Sequence, residues 1–422
     1  MTHPHSSTLH SFILMKYLVP LLVLSVRALV AACDGAPRIS LSNDSAQHTG
    51  SIGAAYVMTN MPIGNYLVSA TIGTDGKLAL YEATYTGGKG AHGLPAPPGL
   101  DPLFSQGSIG VSRAQRYVAT VNAGSNTVTV LAIDPFKPGR LDMIGQPVWS
   151  GGEFPMSVAI NEAGTRVCVV NGGKVNGVSC YNFDARKGLT PIKNSIRSLG
   201  LNQTTPATGP PNTTSHIIFS ADEKQLIVSV KAAKLVVWDV NADGSLSKNF
   251  INLGGGVTPF GLTYIPGRDA LFVADPGVGY DIFDLAAADP ANAGVSVAVP
   301  GQLANCWSVY SRQSGNFYLL DPALSRLTEV SVCGSSLNST TVQTYNLGTD
   351  GPLDSTVATV GKNDFIYTLA ANASSITVLS VNGPGMAQVS QRLDIAGPAS
   401  AANLPLNSTN LQGMAAFIEK WY

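Results

Sequence analysis

The chain has 422 residues and a net charge of −1 at neutral pH. Charged residues are only 12%, about half of the usual share of roughly 25%. No basic block stands out, so nothing calls for nucleic acid or an anionic membrane surface as a partner. With 45% apolar residues, 44 Gly and 26 Pro, the chain can fill a sizeable core and turn often.

The first segment predicts a removable secretory signal over residues 1–32. Lys16 precedes the apolar run Tyr17 to Leu24, and small residues follow at Ala31-Ala32. Arg27 is a late charge, and Met15 is an alternative start. Residues 33–50 form a short N-terminal segment. No later run is long and apolar enough to span a bilayer, and the C-terminus lacks the apolar tail of a lipid-anchor signal.

Export agrees with six Asn-X-Ser/Thr sites, at Asn43, Asn202, Asn212, Asn338, Asn372 and Asn407. Sugar on them requires surface loops. It also agrees with an even set of cysteines, Cys168, Cys180, Cys306 and Cys333, once Cys33 falls at the cleavage region. Cys168 and Cys180 flank the turn from Asn171 to Gly177 and are expected to face each other across a hairpin. Pairing of Cys306 with Cys333 is expected by elimination. The spacings match no zinc pattern, and neither a metal nor a cofactor is expected.

From residue 51 onward one pattern recurs: two apolar strands around a polar turn, then a more variable segment. Period-2 alternation and β-branched residues mark the strands. The clearest pairs are YVATVNAGSNTVTVLAID at 117–134, VCVVNGGKVNGVSCYNFD at 167–184 and LIVSVKAAKLVVWD at 226–239. LFVADPGVGYDIFD at 271–284, FYLLDPALSRLTEV at 317–330 and FIYTLAANASSITVL at 365–379 follow. A first unit lies at 54–83. Seven units about 45–60 residues apart predict an all-β, seven-bladed β-propeller of four-stranded antiparallel blades. Its expected span is 51–400, with 401–422 as a tail. The strand around Tyr56 suggests that the N-terminal segment completes the last blade and removes the open sheet edges. A monomer is expected.

The run Thr86-Gly87-Gly88-Lys89-Gly90-Ala91-His92-Gly93 resembles a known family, as do VNAGSNTVTVLAID, GGEFPMSVAIN and VCVVNGGKVNGVSC. It is that of secreted fungal propellers of the lactonase type, the carboxy-cis,cis-muconate cyclase-like proteins. The resemblance covers nearly the whole mature chain. It implies relatives that open or close lactone rings on small carboxylates without a metal, and others regarded as cell-wall antigens or adhesins. Catalytic-type members carry an Arg-His pair in the inner strand of the fourth blade. Here that pair reads Ser215-His216. The acid of the following strand end falls at Lys231, and a His one blade earlier falls near Met156 and Ser157.

The ends of the second strands supply a ring of polar residues: Asn60, Asn122, Asn171, Lys231, Asp275, Asp321 and Asn372. A ligand in the central channel could meet such a ring. Equally, Asn and Asp are favoured wherever a strand enters a tight turn. Lys231 breaks that pattern and is a candidate to hold an anion. His216 is the candidate catalytic residue, with a structural histidine as the alternative. Glu153, at the mouth of the third blade, is a possible acid. His92 sits in a Gly-rich loop without the strand-to-helix setting of a phosphate loop.

Two functions remain open. One is a lactonase or carboxymuconate-cyclase-like enzyme, acting on a small carboxylate or lactone in the channel, as an intramolecular lyase or a lactone hydrolase. The other is a non-catalytic extracellular or cell-wall glycoprotein that binds glycans, matrix or a host surface.

Overall fold

The computed structural model describes residues 36–42, 50–94, 99–334, 336–348 and 351–419. The signal region, Cys33 and Asn43 lie outside the described residues. Seven antiparallel sheets follow one another along the chain and form the blades of a propeller. The hairpins read in the sequence are the second and third strands of each blade. In blade II these are Tyr117–Asn122 and Thr127–Ile133, and in blade IV they are Gln225–Val230 and Lys234–Asp239. Each inner strand comes before them in the chain, except in blade I.

Burial explains why the second strands are apolar throughout rather than alternating. Tyr117–Asn122 is buried at every residue because both faces of its blade pack on neighbouring blades. Outer strands meet solvent on one side and do alternate, as in Ala387–Asp394 of blade VII. Buried tyrosines stitch neighbouring blades at their polar ends. Tyr56 donates to Pro138 O at 2.7 Å, Tyr117 to Gly164 O at 3.0 Å, and Tyr367 to Gly76 O at 3.0 Å across the seam between blades VII and I.

Ring closure differs from the expectation. The strand Gly53–Met58, which contains Tyr56, is the second strand of blade I. Its inner neighbour is the C-terminal strand Gln412–Ile418, paired in register from Gly53↔Ile418 to Met58↔Gln412. Thus the strand Gln412–Ile418 closes the first blade, within the stretch expected to be a tail. The short helix Ala396–Ala401 precedes this strand. At the far edge Arg38–Ser40 adds a fifth strand on Leu78–Tyr85.

Cys168 and Cys180 are directly opposite in the register and form a disulfide, with Cα atoms 4.1 Å apart. The second expected pairing is overturned, since Cys306 and Cys333 are not bonded to each other. Cys306 precedes the inner strand of blade VI (Trp307–Ser311), level with the start of the third strand, Arg326–Val332. Cys333 lies beyond the far end of that third strand. A strand of that length separates the two by roughly 20 Å at about 3.3 Å per residue, whereas a disulfide needs Cα atoms within about 7 Å.

Candidate functional site

Every inner strand runs from the face carrying the blade-to-blade connections, here called the upper face, to the lower face. The connection from blade I to blade II does not stay on the upper surface. Its end, Asp101–Ser108, enters the central channel. Gln106 N donates to Ser215 O (3.3 Å) and Gln106 Nε2 to Ser308 O (3.0 Å), while Gln106 Oε1 accepts from Ser308 N (3.1 Å). Ser105 Oγ donates to Met156 O (2.8 Å), and Ser105 O accepts from Trp307 Nε1 (3.0 Å) and Gln412 Nε2 (2.8 Å). Gly107 N donates to the Asp354 carboxyl group (3.2 Å), and Gly107 O accepts from Val158 N (2.9 Å).

Gly261, at the start of blade V's inner strand, completes the circle. A Cβ there would fall 2.1 Å from Gln106 Oε1, so a larger residue would push the Gln106 amide out of its bonds to Ser308. A segment that reaches the inner strands of all the blades has to lie on the axis. The upper channel is therefore filled by the chain itself.

The polar ring at the second-strand ends serves the interblade connections. Asp275 accepts from Val257 N (2.7 Å) and Thr258 N (2.8 Å), and Asp321 from Leu303 N (2.7 Å). Asn171 bonds Ser150 through both its amide oxygen and nitrogen. Asn122 accepts from Thr86 Oγ1 (2.6 Å) and Asn65 Nδ2 (2.9 Å). Asn60 exchanges hydrogen bonds with Ala91. Asn122, Asn171, Asp275 and Asp321 tie down the connection entering their own blade, and Asn60 holds the connection leaving blade I, so these polar atoms are used within the protein. Asn372 stands apart and is exposed. Glu153 accepts from the Thr205 hydroxyl, fastening the loop that carries Asn202 and Asn212.

Lys231 is buried. Its ammonium donates to Phe104 O (2.7 Å), to Thr214 O (2.7 Å) and to the Ser215 hydroxyl, and it lies 4.6 Å from the centre of the Phe260 ring. An ammonium has three donors, and all three are taken by protein. Burial pulls the Lys231 pKa down, and the nearby Asp101 carboxylate offsets part of that. Burial likewise raises Asp101, against the pull of Lys231. The geometry makes Lys231 the clamp that fixes the axial plug to blade IV, with no N–H left over for a carboxylate ligand.

His216 lies below the plug. Its Nδ1 accepts from Leu262 N at 3.0 Å, so the neutral ring carries its proton on Nε2. Nε2 faces Gly107, where a Cβ would come within 2.7 Å; Gly107 also has φ +76°. Burial lowers the pKa of His216 to about 3, so the ring is a neutral hydrogen-bond donor and not a base at neutral pH. It lines a cavity of about 470 Å³ with the lower halves of the inner strands of blades II, III and IV and with Tyr264. A second cavity of about 910 Å³ shares the walls Ile109, Val111, Ile160, Asn161 and Glu162 and opens at the lower mouth. Closed above and open below, the channel is a blind pocket with His216 near its inner end.

The buried neutral histidine has a pH consequence. Its folded pKa of about 3 lies below the unfolded value of 6.5. Between these values the unfolded chain binds more protons, so the contribution to stability is full above pH 6.5 and is lost as pH falls toward 3. Its full extent is roughly 3–5 kcal/mol. His216→Gln removes this titration. Denaturant titrations of both proteins from pH 7.5 to 4 are expected to show wild type losing stability relative to the variant. A constant difference across that range would place the imidazole in solvent.

The sequon asparagines among the described residues, Asn202, Asn212, Asn338, Asn372 and Asn407, are all exposed. All except Asn338 lie on the upper face, where the plug already closes the channel. Among the described residues no group of three or more His, Cys, Asp and Glu side chains is arranged to hold a metal. No described helix is long and apolar enough to cross a membrane.

Comparison with protein-family models returns no match, and comparison with curated protein sequences returns none either. The fold is shared with solved structures. A Bacteroides fragilis protein provisionally described as a 6-phosphogluconolactonase is 12% identical with a TM-score of 0.63, over 87% of this chain and 99% of that one. A periplasmic gluconolactonase of Pseudomonas aeruginosa is 16% identical with a TM-score of 0.61, over 81% and 96%. A third, from Bacteroides uniformis and described like the first, is 15% identical with a TM-score of 0.61, over 82% and 97%. The chain thus has the seven-bladed propeller fold of these lactonase-type proteins. At such identities the likeness concerns the fold.

Sequence reasoning selected His216 and Lys231, and the structure brings both to the plug, on different sides of it. It missed the plug, Asp354 and the lower mouth. Burial pushes Asp354 up to about 8 where it holds Gly107. For the lower mouth a signal existed. A Ser that ends the inner strand is followed by Arg in blades II (Ser112-Arg113) and VI (Ser311-Arg312).

Proposed function

We propose that the protein is an exported lactonase-type propeller that takes a small lactone, or the hydroxy-carboxylate it opens to, into the lower channel. The observation that carries this reading is the fixed Nε2–H of His216 beside a blind cavity. A neutral imidazole there can donate to a lactone carbonyl oxygen. Water adding to the carbonyl carbon would put negative charge on that oxygen, and the donor stabilises it as the ring C–O bond breaks. His216 keeps its proton throughout, and the proton released by water leaves with solvent or the departing ring oxygen. Export is supported by the Cys168–Cys180 disulfide and by the exposed sequon asparagines.

A second reading, a non-catalytic extracellular binding protein, draws support from the same site. Lys231 is fully engaged within the protein, and His216 cannot accept a proton near neutrality. The test is turnover of a lactone panel, including gluconolactones and carboxymuconolactone, and of carboxymuconate, by wild type and His216→Ala. Wild-type turnover that falls roughly 100-fold in the variant is expected. Saturable binding without turnover would favour the second reading. Equal turnover by both proteins would remove His216 from the chemistry.

A further inference from the structure

We propose that the lower mouth of the channel is an anchoring site for a small multivalent anion, a carboxylate or phosphate group gripped between Arg113 and Arg312. The two arginines belong to the turns that follow the inner strands of blades II and VI, on opposite sides of blades I and VII. Both line the cavity of about 910 Å³ at the mouth, whose wall also includes Thr356 and residues 414–418 of blade I's inner strand.

Three observations point to a ligand. First, among the described residues neither guanidinium has a carboxylate within 4.0 Å, whereas the neighbouring Arg116 on the same wall is paired with Glu419 at 2.9 Å. Glu162, the acid on the lining, makes no ion pair with either. Second, the two charges are close enough to feel each other. Partial burial in the concave wall, and then the Arg312 charge, pull the Arg113 pKa down. Two like charges converging on a cavity cost stability unless an anion joins them. Third, both side chains are exposed at the cavity mouth, and among the described residues no hydrogen bond ties them to the protein.

The chemistry of the guanidinium fits the ligand class. Its planar fork pairs bidentately with carboxylate or phosphate, and two forks facing one cavity favour an anion carrying more than one charge or more than one oxygen pair. Access is from the lower face only, because the plug seals the channel from above. The cavity continues inward to His216, so an anion held at the mouth would extend toward that donor. The inference concerns the same channel as the lactone reading but does not depend on turnover.

The experiment is calorimetric titration at fixed ionic strength with inorganic phosphate, citrate and acetate. The proteins are wild type, Arg113→Gln, Arg312→Gln, the double variant and Arg113→Lys. Saturable binding of phosphate or citrate by wild type is expected, with acetate weaker. Each single Gln variant should weaken it roughly tenfold, and the double variant should abolish it. Arg113→Lys should recover only part, since it keeps charge but loses the fork. The unliganded variants are expected to melt at or above the wild-type temperature, because they lose repulsion and no protein contact. No saturable binding by wild type, or binding undiminished in the double variant, overturns the proposal. Anion binding without lactone turnover would leave this site standing and remove the lactone reading; turnover without anion binding would do the reverse.

Discussion

A chain ending at Asn410 is expected to give no folded monomer. The missing strand, Gln412–Ile418, is the inner strand of blade I, and its side chains are buried except at its last residue. Phe417 and Met414 pack between blades, with Leu411 just ahead of them. Each such side chain is worth roughly 1.5–3 kcal/mol on burial, and the ladder to Gly53–Met58 adds about 1 kcal/mol per hydrogen bond. Together these approach the whole stability of a typical domain, about 5–15 kcal/mol. Two further losses follow. Gln412 no longer holds the plug at Ser105 O, and Gly53–Met58, buried at every residue, becomes an open apolar edge. Size-exclusion chromatography and circular dichroism of the truncated chain should show aggregate or unfolded protein. A synthetic peptide covering 410–419, added during refolding, should restore part of the native signal. A monodisperse truncated protein with the wild-type melting temperature would show that closure does not depend on this strand.

The same strand shows where sequence reading stops. The second and third strands were legible because β-branched residues and turn signals recur beside each other, and seven such pairs define the blade number. Gln412–Ile418 reads QGMAAFI, small and apolar without alternation, and resembles a short helix. Its identity as a strand comes from Gly53–Met58, some 360 positions away, and no local pattern encodes such a partner. The plug is harder still. Asp101–Ser108 has no periodicity, and most of the bonds that hold it in the channel come from inner strands elsewhere on the ring and from Lys231. The Asn and Asp residues at strand ends could be read as turn formers, and they proved to hold the interblade connections. Lys231 was visible as the exception to their pattern. Its partner Phe104 O, 127 residues earlier, was not.

Replacing Lys231 by methionine is expected to be the most destabilising single substitution in the channel. Methionine fills much of the same volume, so the effect isolates the ammonium. The carbonyls of Phe104 and Thr214 and the Ser215 hydroxyl lose their donor in a site closed to water, and Asp101 loses its nearby cation. Unsatisfied buried acceptors cost about 1–3 kcal/mol each, and removal of one partner from a buried charge cluster costs about 3–5 kcal/mol. The variant should therefore lose roughly 3–5 kcal/mol by urea denaturation. The loss has a local signature. Phe104 and Asp101 are held in the left-handed backbone region at φ +52° and +64°, a conformation that a non-glycine residue keeps only when its surroundings enforce it. With the clamp gone, amide exchange at residues 104–107 should rise more than in the inner strands. Lys231→Met combined with Asp101→Asn should recover part of the stability, since the amide leaves no unpaired charge. If Lys231→Met unfolds within about 0.5 kcal/mol of wild type, the ammonium is not what holds the plug. The role of Lys231 would then have to be sought with a ligand after all.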